Sequence, residues 1–215
     1  MSDCCDPSPY RHFFNRKEAR RKIRQYRRKG LDQMATSMVD FLVSEGVDGA
    51  NMLEVGGGIG AIEIELLKKG VSSAVNVELS AGYDEAADEL AAKEGVAGQI
   101  ERKIGDFVEL QDEIDPADIV VLNKVVCCYP LMKRMMGAAT SKTGKYLAVV
   151  FPREKWWNKL MFGLGDRFLK LRGCAFQSFV HPVDEIERVA SGAGLVVRHR
   201  DNTTVWQAVV WERAA

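Results

Sequence analysis

Met52-Leu53-Glu54-Val55-Gly56-Gly57-Gly58-Ile59-Gly60 decides the fold. A short apolar run of strand length enters a turn made almost wholly of glycine. Beyond it, Ile59 to Lys69 reads as a helix with Ile62, Leu66 and Leu67 facing inward. Glycines at 56, 58 and 60 let the backbone turn sharply and let a ligand approach without interference from a Cβ. Strand-to-helix turns of this kind bind nucleotides and their relatives at the carboxyl end of a parallel sheet.

Reading outward, the alternation repeats. Strands are expected at Ala74–Glu78, Ile100–Ile104, Ile119–Leu122 and Tyr146–Phe151, with helices at Tyr83–Glu94 and Leu131–Ala139 between them. Near-continuous apolar strands joined by helical crossovers imply a parallel sheet covered on both faces. After a helix over Pro182–Gly192 come two strands, Leu195–His199 and Val205–Trp211, separated by Arg200 to Thr204 alone. That gap is too short for a crossover, so the last pair is an antiparallel hairpin. The expected architecture is α/β and Rossmann-like: a seven-stranded, mostly parallel sheet with an antiparallel last strand and helices on both faces.

The region before the first strand reads as two helices. Residues 1–14, with Pro7 and Pro9, are expected to be irregular and frayed. Asn15 is a candidate N-cap, and Glu18 completes a capping-box pattern for a basic helix ending at Gly30. Leu31, Met34, Ala35, Met38 and Leu42 mark the buried face of a second helix. Residues 15–46 thus form a helical arm, and 47–215 the sheet domain with a helical insert at about 155–172.

The glycine turn alone is a weak signal, and its surroundings sharpen it. Glu54 stands two residues before the first glycine, where a carboxylate suits a cationic group and opposes a pyrophosphate. The G-x-G-x-G spacing of 56, 58 and 60 also differs from the dinucleotide pattern. Glu78 ends the next strand, with Leu79 after it, and an acid there accepts the hydroxyls of a ribose. Gly105-Asp106-Phe107 follows the third strand: Asp106 is placed to accept from an adenine amino group, and Phe107 to flank the ring. Asn123-Lys124 follows the fourth strand and is expected beneath the ligand.

With these elements in place, residues 52–151 resemble the class I S-adenosylmethionine (SAM)-dependent methyltransferases, whose seventh strand is antiparallel. The resemblance implies SAM as the cofactor. Glu54, Gly56, Gly57, Gly58 and Gly60 would hold its methionine part, Glu78 and Leu79 its ribose, and Asp106 and Phe107 its adenine, with Asn123 and Tyr26 also at the site. Phe14-Asn15 with the basic helix through Tyr26, Tyr129-Pro130, and Phe179-Val180-His181-Pro182 are similar to the magnesium-protoporphyrin O-methyltransferase group, which esterifies a propionate of a tetrapyrrole. Cys127-Cys128 and the Trp156-Trp157 insert depart from that group.

Methyl transfer from a sulfonium is an in-line displacement that needs chiefly proximity and orientation. A carboxylate acceptor needs no base, whereas a hydroxyl or amine draws on one. His181 is the leading candidate base, read alternatively as a helix-start residue. Tyr129 lies near the expected methyl group, read alternatively as packing. His12 and His199 are weaker candidates.

Composition bounds the rest. The 215 residues are 47% hydrophobic and 28% charged, with a formal net charge of zero, which suits one globular domain and gives no overall bias toward nucleic acid. The charge is unevenly placed: Arg11 to Lys29 holds ten basic residues against Glu18 alone. That arm reads as a solvated face, as a lid with Tyr26 inward and arginines meeting an anionic substrate, or as a nucleic-acid contact. An RNA or protein methyltransferase is therefore the alternative function. Against it, Asn123-Lys124-Val125-Val126 stands where base N-methylation calls for an Asn/Asp-Pro-Pro-Tyr tetrad.

Five cysteines in the absence of a signal-like N-terminus read as free thiols in a cytoplasmic protein, and no C-x-x-C metal spacing occurs. No apolar window reaches membrane-spanning length. In the insert, Trp157, Leu160, Met161, Leu164, Phe168 and Leu171 share one helical face. This face reads as core packing, as a cap over a large flat apolar substrate, or as a peripheral membrane contact. The acceptor is expected to be a small molecule, and the oligomeric state is left open.

Overall fold

The computed structural model describes residues 13–214. Cys4, Cys5, His12 and the expected fraying of residues 1–12 lie outside them. Seven strands form one sheet: β1 (Asn51–Val55), β2 (Ser73–Glu78), β3 (Ile100–Ile104), β4 (Ala117–Asn123), β5 (Thr143–Pro152), β6 (Leu195–Asn202) and β7 (Trp206–Arg213). Their order is β3-β2-β1-β4-β5-β7-β6. The first five run parallel, and β7 lies antiparallel to both β5 and β6. The expected seven-stranded α/β sheet is the one observed. Its order reverses between β1 and β4, which opens a crevice at the carboxyl ends of those strands.

Eight helices surround it among the described residues: α1 (Arg16–Lys29), α2 (Gln33–Ser44), α3 (Ala61–Leu67), α4 (Asp84–Glu94), α5 (Phe107–Leu110), α6 (Met132–Lys142), α7 (Trp156–Leu171) and α8 (Val183–Gly192). Alternate strand residues face opposite layers. Ile119, Val121, Tyr146, Ala148 and Val150 meet Ala19, Ile23, Met34, Met38, Leu42, Ile62 and Leu90 from α1 to α4. Val120, Leu122, Leu147, Val149 and Phe151 meet Phe107, Met132, Met136, Ile186 and Ala190 from α5, α6 and α8. This two-sided burial is why the central strands carry unbroken apolar runs.

Local signals set the helix ends. Asn15 caps α1, its side chain accepting from the backbone N–H groups of Lys17 and Glu18. The Glu18 carboxylate binds the Arg21 guanidinium, at 2.6 and 2.7 Å. Gly60, at φ 75°, starts α3 two residues later than the apolar pattern suggests. Tyr83 belongs to a 3-10 turn (Ala81–Tyr83) that precedes α4.

Two expectations fail here. Phe13 and Phe14 are packed: Phe13 stacks on Phe176 at 4.6 Å between ring centroids, and Phe14 meets the same ring edge-on at 5.5 Å. The insert helix α7 does not pack its apolar face into the core. Trp156, Trp157, Leu160, Met161, Leu164, Phe168 and Leu171 are all exposed, Leu171 at 87%. The helix is moored through its opposite face by Asn158, whose side-chain amide donates to the carbonyls of Arg153 and Val205 at 2.8 and 3.0 Å. Periodicity reports that a helix has an apolar face, and not that anything covers it.

Asn158→Leu removes both side-chain hydrogen bonds and leaves the two carbonyls with only their backbone donors, the N–H groups of Lys155 and Arg153. We expect a loss of about 1–3 kcal/mol in urea unfolding and faster proteolytic cleavage within α7.

Candidate active site

A cavity of about 280 Å³ opens in the crevice between β1 and β4. Its walls gather Tyr26, Glu54, Gly56, Gly57, Gly58, Glu78, Leu79, Asp106, Phe107, Asn123 and Tyr129. The sequence had marked each of these. Gly60 and His181 are not on its walls. Glu54, Glu78 and Asp106 stand at or just beyond the carboxyl ends of β1, β2 and β3, so three neighbouring strands each deliver one carboxylate to the same rim.

The glycine turn is held rigidly. Gly56 N–H donates to Val77 O at 2.7 Å. Gly58 is fixed from both sides: its N–H donates to Glu78 Oε2 at 2.9 Å, and its carbonyl accepts from Arg102 Nη2 at 3.2 Å. A Cβ on Gly57 would lie 2.2 Å from Asn76 Nδ2 and 3.0 Å from Glu54 Cδ, and one on Gly56 would lie 2.6 Å from a Val125 methyl. Gly56 and Gly58 also adopt φ of 64° and 58°, where glycine is favoured. The part played by Gly60 is structural: it caps α3, and a side chain there would meet the Glu63 carboxylate.

Beneath the turn lies a cluster that sequence reasoning missed. Glu63 of α3 is buried. Its backbone N–H donates to Glu54 Oε2 at 3.0 Å, and its carboxylate accepts from Asn76 Nδ2 at 2.8 Å. Arg102 of β3 reaches Glu63 at 4.0 Å and Asp84 at 3.4 Å. Burial, and then repulsion from Glu63, hold the Glu54 carboxyl well above the usual carboxylate range. Burial also pushes Glu63 up to about 7, against the lowering pull of Asn76 and Arg102. Glu78 is raised by burial too, although it accepts backbone N–H groups from Gly58 and Ser80. One signal for Glu63 was present in the sequence: it lies four residues from Ile59 and from Leu67, on the apolar face of its helix.

The remaining walls come from the arm and from the chain after β4. Tyr26 points inward from α1 and donates to Glu65 Oε1 at 2.5 Å, while Lys22 also borders the cavity. Ser80 Oγ donates to Phe14 O at 2.5 Å and ties the start of the arm to the rim. Lys124, at φ 60°, is the one non-glycine residue with positive φ among those described. Its ammonium binds Asp32 at 2.6 Å. Cys128 reaches the wall, with its Sγ 3.8 Å from that of buried Cys127. Both are free thiols, as expected.

The two catalytic candidates separate. Tyr129 is buried at the cavity and donates to Asp106 Oδ2 at 3.1 Å, while Asp106 Oδ1 accepts from Val108 N–H. His181 turns away. Its Nε2 lies 3.0 Å from Tyr129 O and 3.1 Å from Val126 O, and its ring stacks on Phe179. A nitrogen facing two carbonyls carries the proton, and burial lowers the imidazole's affinity for a second one. Through Nε2, His181 thus clamps the 126–129 turn, and it does not line the cavity.

No family model and no curated protein matches the sequence. Solved structures do. Magnesium protoporphyrin IX methyltransferase from Synechocystis PCC 6803 with bound S-adenosylhomocysteine superposes with a TM-score of 0.78 at 18% identity, over 97% of this chain and all of that one. The same enzyme with bound SAM gives 0.71 at 16% identity, over the whole of both chains. An O-methyltransferase family 2 protein from Planctomyces limnophilus, in complex with apigenin, gives 0.66 at 20% identity, over 91% of this chain and 62% of that one. The fold is that of the SAM-dependent methyltransferases. Coverage extends through the arm and the α7 insert in the first two, so the likeness exceeds the central sheet.

The raised carboxyls give a pH signature with a definite sign. Between pH 4.5 and about 7 the folded chain holds a proton on Glu63 that the unfolded chain has released. Stability of the ligand-free protein therefore falls as pH rises through that window. Urea unfolding across it is expected to show this slope in the wild type and a flatter one in Glu63→Gln.

Proposed function

We propose that the protein is a SAM-dependent methyltransferase whose acceptor is a small, flat, largely apolar molecule bearing a carboxylate, methylated on oxygen. The observation that carries this reading is the row of carboxylates Glu54, Glu78 and Asp106 along one rim, beside a turn of glycines that lines the cavity and leaves no room for a Cβ against the side chains packed behind it. Asn123 also lines the cavity, and its buried Oδ1 has no hydrogen-bond partner among the described residues. A ligand with an ammonium at one end, a ribose in the middle and an adenine at the other has donors for this whole series.

Glu54 and Asn123 would take the ammonium, Glu78 the ribose hydroxyls, and Asp106 with Phe107 the adenine. SAM supplies an activated methyl group on sulfur. The chain's own work is to fix Gly58, to exclude water beneath Tyr26 and Phe14, and to orient an acceptor near Tyr129. With His181 held by the backbone and the Tyr129 hydroxyl directed at Asp106, the site favours an acceptor that arrives ionised. A carboxylate meets that need, since its oxygen is nucleophilic without proton removal. Lys22 at the cavity edge, and the arginines of α1, suit an anion. The likeness to an enzyme named for magnesium protoporphyrin IX supports carboxylate-bearing tetrapyrroles as the first acceptors to test.

Calorimetric titration with S-adenosylhomocysteine tests the cofactor half. The wild type is expected to bind, and Glu78→Gln to bind about tenfold or more weakly through loss of charged hydrogen bonds, with its fold checked by circular dichroism. No binding to folded wild type would overturn the reading. Binding in buffers of differing ionisation enthalpy should also reveal proton release, because Glu54 must ionise to pair with an ammonium.

The acceptor half is tested by transfer of labelled methyl to tetrapyrrole carboxylates, giving an alkali-labile ester. His181→Ala should lower kcat without removing a limb of the pH profile, as befits a positioning residue. Loss of an ionisation near the histidine range would restore it as a base.

A further inference from the structure

We propose that α7 is an interfacial helix that seats the protein on an anionic lipid surface. This goes beyond the methyl-transfer reading and does not depend on it.

The helix is amphipathic in the wrong direction for a core element. Its protein-facing side consists of Asn158, Phe162, Asp166 and Leu169, and Phe162 meets Trp206 edge-on at 6.0 Å. Its outward side carries seven exposed apolar residues, whose exposure runs from 38% at Trp157 to 87% at Leu171. Six of them, 157, 160, 161, 164, 168 and 171, recur at intervals of three and four and make a continuous stripe. None of α7 lines the cavity. A cap over the substrate is therefore not what the stripe forms here.

Charge identifies the occupant. Lys159, which also pairs with Glu154 at 2.9 Å, and Lys170, about three turns on, lie along one side of the helix. Arg167 lies between them and the stripe, near Leu164 and Leu171 in the helical repeat, and Arg172 sits over the Phe168 ring on the other side. The helix's single acid, Asp166, is turned inward, accepting from Ser178 N–H at 3.1 Å. A tryptophan-bearing apolar face bordered by cations is the arrangement that lies in a bilayer interface and draws on anionic headgroups. The helix has 16 residues and is not long and apolar enough to cross a membrane. A second copy is a poorer fit, since two such faces would bring like charges together. At the same end of the sheet, the chain leaving α7 is stacked through Phe176 on Phe13, at the start of α1. Along α1, Lys17, Arg20, Arg24, Arg28 and Lys29 are exposed and have no ion pair among the described residues.

Co-sedimentation of the full chain with vesicles tests this, using phosphatidylcholine alone and phosphatidylcholine mixed with phosphatidylserine. The wild type is expected to pellet with the mixed vesicles, with a blue shift in tryptophan emission, and to bind far less to phosphatidylcholine alone or at high salt. Leu160→Glu with Leu164→Glu should abolish binding, and Lys159→Gln with Lys170→Gln should weaken it about tenfold. All four positions are exposed, so circular dichroism and the urea midpoint should stay unchanged. Absence of wild-type binding would overturn the proposal. So would full binding by the Leu160→Glu, Leu164→Glu variant, which would move the contact to α1. If the wild type binds no vesicle but sediments as a dimer, and the same variant as a monomer, the occupant is a second copy and the proposal fails.

Discussion

The grip on Gly58 is the constraint from which the rest of the site follows. The turn after β1 has no side chains of its own with which to hold a shape. Its shape is imposed from the neighbouring strands: Glu78 on β2 takes the N–H, and Arg102 on β3 takes the carbonyl. Those two strands are in register with each other and with β1, so the cradle's geometry is set by the sheet. Such preorganisation places polar groups before a ligand arrives and limits reorganisation during reaction. It also requires several carboxyls to be buried near one guanidinium, and the raised proton affinities of Glu54 and Glu63 are the electrostatic consequence. A cationic ligand relieves that repulsion.

The legible parts of the molecule were those in which one residue type answers to one local demand. Strands buried on both faces must be apolar throughout, so Ile119–Leu122 and Tyr146–Phe151 announced themselves. Gly56 and Gly58 sit at positive φ, and the short gap before β7 permits only a hairpin. The carboxylates Glu54, Glu78 and Asp106 were legible because each stands at or just beyond a strand end, at the edge where such sheets bind ligands. Glu63 and Arg102 were not. Their importance lies in partners distant in the chain, and on its own each reads as an ordinary charged residue of a helix or an edge strand. His181 is the complementary case. Its position in the loop was read correctly, but the direction of its ring is decided by the carbonyls of Val126 and Tyr129, more than fifty residues away in the chain.

The two elements outside the central sheet show how much a pattern leaves undetermined. Helices α1 and α7 are both amphipathic. α1 buries Ala19 and Ile23 against the sheet layer and turns Tyr26 to the cavity, leaving its cations outside. In α7 the side facing the protein carries Asn158 and Asp166 beside Phe162 and Leu169, and the broader apolar stripe faces out. The difference rests on Asn158, the one fully buried side chain of α7. An amide in that position can satisfy two carbonyls at the hairpin and so fix the orientation of the whole helix. A leucine there would have read as a better core residue and would have lost the mooring.

These arrangements bear on what kind of acceptor the site suits. A methyltransferase acting on hydroxyls or amines gains from a base aimed into the cavity, and here the leading candidate is committed elsewhere. His181 clamps the turn that carries Tyr129, and Tyr129 in turn donates to the carboxylate that caps α5. Both groups thus serve to hold the wall of the cavity in place. An acceptor that is already anionic asks only for steering and a fixed approach to the methyl group. Steering is what a strongly basic arm beside the cavity provides. A fixed approach is what a wall built from buried, mutually hydrogen-bonded side chains provides. The basic arm and the hydrogen-bonded wall are thus the two features on which the proposal of a carboxylate acceptor rests.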